Sequence, residues 1–225
     1  MEIKSLTLHS NNLVETKMFY TKTLGFTLVD EDDNNFQIMV GSSKLTFTNQ
    51  SASNNPFYHF AFNIPANKFS EAKQWTKERL NLLTENGEDE VDFSHLPAHA
   101  FYFYDPSGNI VEFIARYGIN SNSNLPFTPE SILNISEIGL VVEDVMQTGQ
   151  KMINNGIFER DNNSISDKYL NFMGKKHKGI FVILAQPDRK WLFSEKYSAI
   201  FPLEIVLDNN KILIVNTKNE FLIKE

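Results

Sequence analysis

Cysteine is absent from the 225 residues, which removes disulfides, thiolate metal sites and cysteine nucleophiles from consideration. A cysteine-free chain suits a reducing compartment. No uncharged apolar run approaches the roughly 20 residues that span a bilayer. The opening MEIKSLTLHS lacks the basic, apolar and small-residue succession of a secretory signal. Positive charge is in deficit: 21 Lys and Arg stand against 28 Asp and Glu, a formal charge of −7, so the basic face on which nucleic-acid binding rests is missing. No serine sits in a nucleophile-elbow context, and with cysteine gone the chain offers no protease constellation. The expectation is a cytoplasmic protein, monomer or homodimer, whose partner is a small molecule rather than nucleic acid or membrane.

What remains is the balance of a folded globular chain, 41% hydrophobic and 22% charged, with 19 Phe that point to aromatic-rich sheets. Lys4–His9 alternates, placing Leu6 and Leu8 on one face and Ser5, Thr7 and His9 on the other. Asn12 with Glu15 reads as a capping box for a helix from Leu13 that stops near Gly25. Strands follow around 26–29, 36–40 and 44–48. The same order then repeats: a strand over 57–64 closed by Pro65, a helix from Lys68 to Leu83, and strands at 91–93, 99–104 and 109–115. Asp105-Pro106-Ser107-Gly108 is turn chemistry that makes the last two a hairpin. Two βαβββ units thus occupy residues 1–117. Residues 118–130, rich in Asn, Ser and Pro, read as a linker. A third unit begins at Ile135, with a helix from Asp144 to Asn154 and strands near 169–173 and 179–185. Residues 199–207 and 211–223 offer strands without a helix, a worn fourth repeat.

Three stretches, Asn12-Leu13-x6-Tyr20-x3-Leu24-Gly25-Phe26, Tyr58-His59-Phe60-Ala61-Phe62 and Asp105-Pro106-x-Gly108-Asn109-x2-Glu112-Phe113, resemble the vicinal-oxygen-chelate superfamily of glyoxalases, bleomycin-resistance proteins and extradiol dioxygenases. The resemblance implies an α+β fold in which paired βαβββ modules form an open-sided barrel, here over residues 1–117, followed by a divergent second copy over 131–225. It also implies a divalent metal (Fe, Mn, Ni or Zn) that chelates neighbouring oxygens of a substrate, or a metal-free drug-binding cup. The family's four ligand positions fall on Ser5, Lys44, His59 and Glu112. Only His59 and Glu112 are of ligand type.

Alternation supports that site from the residues themselves. His59 shares its face with Ala61 and Asn63, while Phe60, Phe62 and Ile64 face the other way. A carboxylate at Glu112, between Val111 and Phe113, is costly to bury unless paired or ligated. If the hairpin sets Glu112 near Phe103, then Phe101 and His99 share its face; a slip of one residue sends His99 outside. The candidate site is therefore His59 and Glu112 as metal ligands, Glu112 and His99 as groups that move protons, and Ser5, Thr7, Lys44, Phe101 and Phe103 as pocket wall. Two accounts stand: a divalent-metal site for a lyase or isomerase, or a Lys44–Glu112 ion pair in a metal-free binding protein. Ring cleavage, which needs two imidazoles and one carboxylate, fits less well. Arg116 reads as a substrate-anion contact or a surface charge, Tyr58 and Tyr104 as packing, His9 as a strand-end residue, and Arg189-Lys190-Trp191 as a loop rim. Glu137 stands where Ser5 does in its unit, alone. His95 and His177 are assigned no role.

Overall fold

A computed structural model of the chain describes residues 1–50, 55–93 and 96–225; His95 lies outside them. Four modules follow one another. The first is β1 (Ile3–His9), α1 (Leu13–Met18), β2 (Leu28–Glu31), β3 (Asn35–Val40) and β4 (Ser43–Thr48). The second is β5 (His59–Ile64), α2 (Phe69–Lys77), β6 (Val91–Phe93), β7 (Ala98–Tyr104) and β8 (Ile110–Arg116). The third comprises β9 (Asn134–Val141), α3 (Val145–Asn154), β10 (Asn171–Lys175) and β11 (Ile180–Ala185). The fourth is a helix-free meander of β12 (Leu203–Leu207), β13 (Ile212–Val215) and β14 (Phe221–Lys224). This is an α+β fold of paired glyoxalase-like modules in two curled sheets.

The modules pair first with fourth and second with third. One seven-stranded sheet runs β14-β13-β12-β1-β4-β3-β2, and the other runs β10-β11-β9-β5-β8-β7-β6. In each, two modules join along their first strands, β1 against β12 and β5 against β9, both antiparallel. Each sheet therefore takes strands from both sides of residues 118–130. That segment is pinned rather than loose: Asn120 Nδ2 donates to the Ile64 carbonyl at 2.8 Å, and buried Phe127 packs on Trp75 and Phe113.

Helices lie between the sheets and unite their convex faces. Phe19 meets Phe103 of one sheet while its neighbour Tyr20 stacks on Phe47 of the other. Phe60, Phe62, Phe101 and Phe113 join Leu6, Leu8 and Phe47 in one core. Each such side chain contributes about 1.5–3 kcal/mol by leaving water. The concave faces are left pointing outward. No helix among the described residues is long and apolar enough to cross a membrane.

Two local expectations are corrected. The Asn12–Glu15 capping box is replaced by a direct side-chain bond, Asn12 Nδ2 to Glu15 Oε2 at 2.6 Å, and Ser10 Oγ accepts the Asn12 N–H instead. The helix expected to reach Leu83 ends at Lys77, because the N–H groups of Arg79 and Leu80 both turn onto the Thr76 carbonyl and Leu83 N then donates to the Tyr102 carbonyl of β7.

A chain ending at residue 117 keeps β1 and β5 but loses β12 and β9, exposing two ladder edges beside the core. We expect residues 1–117 alone to melt without a cooperative transition. A sharp thermal transition followed by circular dichroism would show instead that the first two modules form a self-sufficient unit.

Candidate metal centre

The concave face of the second sheet is set by the two-residue strand period. On β5 it receives His59, Ala61 and Asn63; on β8, Ile110, Glu112, Ile114 and Arg116. The parallel β5–β8 ladder sets Ala61 beside Glu112, and the antiparallel β5–β9 ladder sets Ala61 beside Glu137. Three strands thus deliver His59, Glu112 and Glu137 around one small residue. They are 7%, 2% and 6% exposed. His59 Nε2 lies 3.5 Å from Glu112 Oε2, and one donor atom from each of the three residues falls within 4.8 Å of the others.

The electrostatics of this trio are unbalanced. Burial, reinforced by the Glu137 charge, holds the Glu112 carboxyl well above the usual carboxylate range, against the opposing pull of Arg116 and of the Tyr102 hydroxyl. Burial lowers the His59 imidazole, with Glu137 and the Ile110 carbonyl opposing. His59 Nδ1 lies 3.2 Å from the Ile110 carbonyl oxygen, which can only accept, so the proton belongs on Nδ1 and the Nε2 lone pair faces the carboxylates. Glu137 is hydrogen-bonded to Arg116, whose guanidinium also donates to Ser136 Oγ at 3.2 Å. One arginine thus faces two buried carboxylates. A divalent cation would take the place of the Glu112 proton, and one neutral imidazole with two carboxylates is a donor set that suits Mn, Fe, Ni or Zn.

Above the trio opens a cavity of about 380 Å³. Its wall is apolar in the main, with Tyr102, Ile114, Leu170, Phe172 and Ile183, while Arg160, Arg189 and Lys190 add positive charge to the lining.

Of the residues expected at the site, His59 and Glu112 are brought together and the others are not. The β7–β8 register puts Tyr102, not Phe103, opposite Glu112. The one-residue difference turns Phe101 and Phe103 into the core, against Phe69 and Phe19. It also turns His99 to the convex side, beside Phe69 and Tyr117 and away from the trio. Ser5, Thr7 and Lys44 belong to the other sheet, where Ser5 pairs with Lys44 and Lys44 is exposed. The Lys44–Glu112 pair therefore does not form; Arg116, buried at 5%, takes the cationic role with Glu137. Trp191, expected at a loop rim, is buried with its ring 5.0 Å from that of His59. Glu137 was visible as the counterpart of Ser5, but its part depends on which modules pair.

Residues 2–113 match the model of the Glyoxalase/Bleomycin resistance protein/Dioxygenase superfamily. Residues 135–189 match a model described as toxoflavin-degrading enzyme. The chain belongs to the glyoxalase/bleomycin resistance/dioxygenase superfamily. No curated protein matches it in sequence. Among solved structures, a putative dioxygenase from Bacillus subtilis is 16% identical over 82% of this chain and 63% of its own, with a TM-score of 0.54. Glyoxalase I from Zea mays is 15% identical over 81% of this chain and 66% of its own, with a TM-score of 0.53. Lactoylglutathione lyase from Agrobacterium tumefaciens is 23% identical over 50% of this chain and 91% of its own, with a TM-score of 0.40. The first two share the fold across most of the chain.

Because Glu112 titrates above its ordinary value of 4.5, its burial is harmless below that pH and costs metal-free protein progressively more stability as pH rises through the folded value. Metal-free Glu112→Gln should therefore melt above metal-free wild type at pH 8 by a few degrees, the shift that about 1 kcal/mol gives a chain of this size. The gap should close as pH falls toward 4.5. A variant that melts lower than wild type throughout, measured by scanning calorimetry, would contradict this electrostatic reading.

Proposed function

We propose that the chain is a divalent-metal-dependent lyase or isomerase acting on a small, oxygen-rich molecule. The observation that carries this reading is the buried His59–Glu112–Glu137 trio that lines a cavity open to one side. His59 through Nε2 and the carboxylates of Glu112 and Glu137 would hold the ion, which when bound acts as a Lewis acid on a substrate oxygen. His59 is oriented by the Ile110 carbonyl, and Arg116 orients Glu137. Glu112, which faces the cavity with its Oε2 3.5 Å from His59 Nε2, is the group placed to accept or return a substrate proton, since His99 lies on the opposite, convex side of the sheet. One imidazole with two carboxylates departs from the two-imidazole set of ring-cleaving enzymes, which favours lyase or isomerase chemistry. The match of residues 135–189 to a degrading-enzyme model covers Glu137 and so supports a chemical role for the third module.

The Arg116–Glu137 pair supports a second reading, a metal-free binding protein of the bleomycin-resistance kind, in which that pair meets the charge demand alone. Metal analysis of the purified chain followed by Mn²⁺ titration of the apo form separates the two. The metal reading expects one ion per chain, and affinity reduced by more than about tenfold in His59→Ala and in Glu137→Gln. If wild type takes up no stoichiometric metal, or if both variants bind as wild type does, the sequestration reading stands.

A further inference from the structure

The segment between β11 and β12 lies over the open side of the second sheet. It is a hairpin at its base, where Asp188 N donates to the Ser198 carbonyl at 2.8 Å and Ser198 N to the Arg189 carbonyl at 2.7 Å. Its flanks are fixed as well. Tyr104 donates to Ser194 Oγ at 3.0 Å, the Lys196 ammonium bonds the Gly108 carbonyl, and Phe193 stacks on Tyr102 with ring centroids 4.9 Å apart. Phe193 adopts a φ of 56°, a backbone state that an aromatic residue holds only when its surroundings demand it.

This strap inserts Trp191 against the sheet at the His59 end of the cavity. The indole is 5% exposed. It rests over Gly139 of β9, where a Cβ would meet the ring at 2.8 Å. Glycine at that position is what lets the benzo edge of the indole approach the strand that carries Glu137. Trp191 therefore closes the chamber beside His59, and the space left to a ligand is bounded by Leu170, Phe172, Ile183 and Ile114. At about 380 Å³ that space lies toward the small end of ligand sites.

We propose that Trp191 is a specificity-determining residue whose indole limits the size of the apolar body that a metal-held ligand can carry in this chamber. This rests on the metal reading of the site. The probes are acetohydroxamate, benzohydroxamate and 2-naphthohydroxamate, which present the same two oxygens with no ring, one ring and two fused rings. Each is titrated calorimetrically into the Mn²⁺-loaded protein. Wild type should favour benzohydroxamate over both others by roughly tenfold. Trp191→Ala should bring the naphthyl probe level with or ahead of the phenyl one, with the acetyl probe unchanged. Trp191→Leu, a smaller removal, should move the same ratio part of the way. Gly139→Ala, which pushes the indole off the strand toward the ligand, should weaken benzohydroxamate selectively. If Mn²⁺ and acetohydroxamate bind normally but the phenyl-to-naphthyl ratio is the same in wild type and all three variants, the role of Trp191 is overturned while the metal reading survives. If wild type binds no Mn²⁺, both fall together.

Discussion

The antiparallel seam between β5 and β9 is the contact on which the candidate site depends. Its register sets Glu137 beside Ala61, two residues from His59 and one strand from Glu112. Without that seam a lone carboxylate and an imidazole would face an open groove. With it, two carboxylates and an imidazole are buried within reach of one another, a combination that is costly to desolvate unless protons, a cation or Arg116 offset the charge. The fold supplies the rigidity for this: all three residues sit on central strands of a seven-stranded sheet whose convex face is sealed by packed phenylalanines.

The first sheet repeats the scaffold without the chemistry. There β1 pairs with β12 so that Thr7 lies opposite Glu204, as Ala61 lies opposite Glu137. Thr46 takes the place across from Thr7 that Glu112 takes across from Ala61. Ser5, Thr46 and Glu204 thus occupy the positions of His59, Glu112 and Glu137. One carboxylate between two hydroxyls makes no comparable donor set, and among the described residues the second sheet alone gathers three ligand-type side chains.

Much of this was legible in the sequence, for local reasons. Alternation in residues 57–64 placed His59 on the concave face, and the Asp-Pro-Ser-Gly turn announced the β7–β8 hairpin. The helix over 145–154 followed from Asp144, whose side chain accepts the Gln147 N–H at its start. What escaped were the quantities that local pattern does not encode. The turn fixes Tyr104 opposite Ile110, one residue from the register that would have put Phe103, Phe101 and His99 beside Glu112. A single-residue step exchanges the faces of a whole strand. Module pairing is less local still: β5 could meet β1 or β9 as far as alternation is concerned, and only packing across some 75 residues, from Ala61 to Glu137, decides it. The buried seat of Trp191 likewise depends on Gly139 in a distant strand, and a polar loop gave no sign of it.

Crystals grown with Mn²⁺ and measured at the manganese absorption edge offer the most direct test of a metal centre built by the second and third modules. An anomalous peak bounded by His59 Nε2 and the carboxylates of Glu112 and Glu137 is the predicted result. A saturated crystal with no peak there, or with its peak beside Glu204 on the opposite sheet, would contradict it.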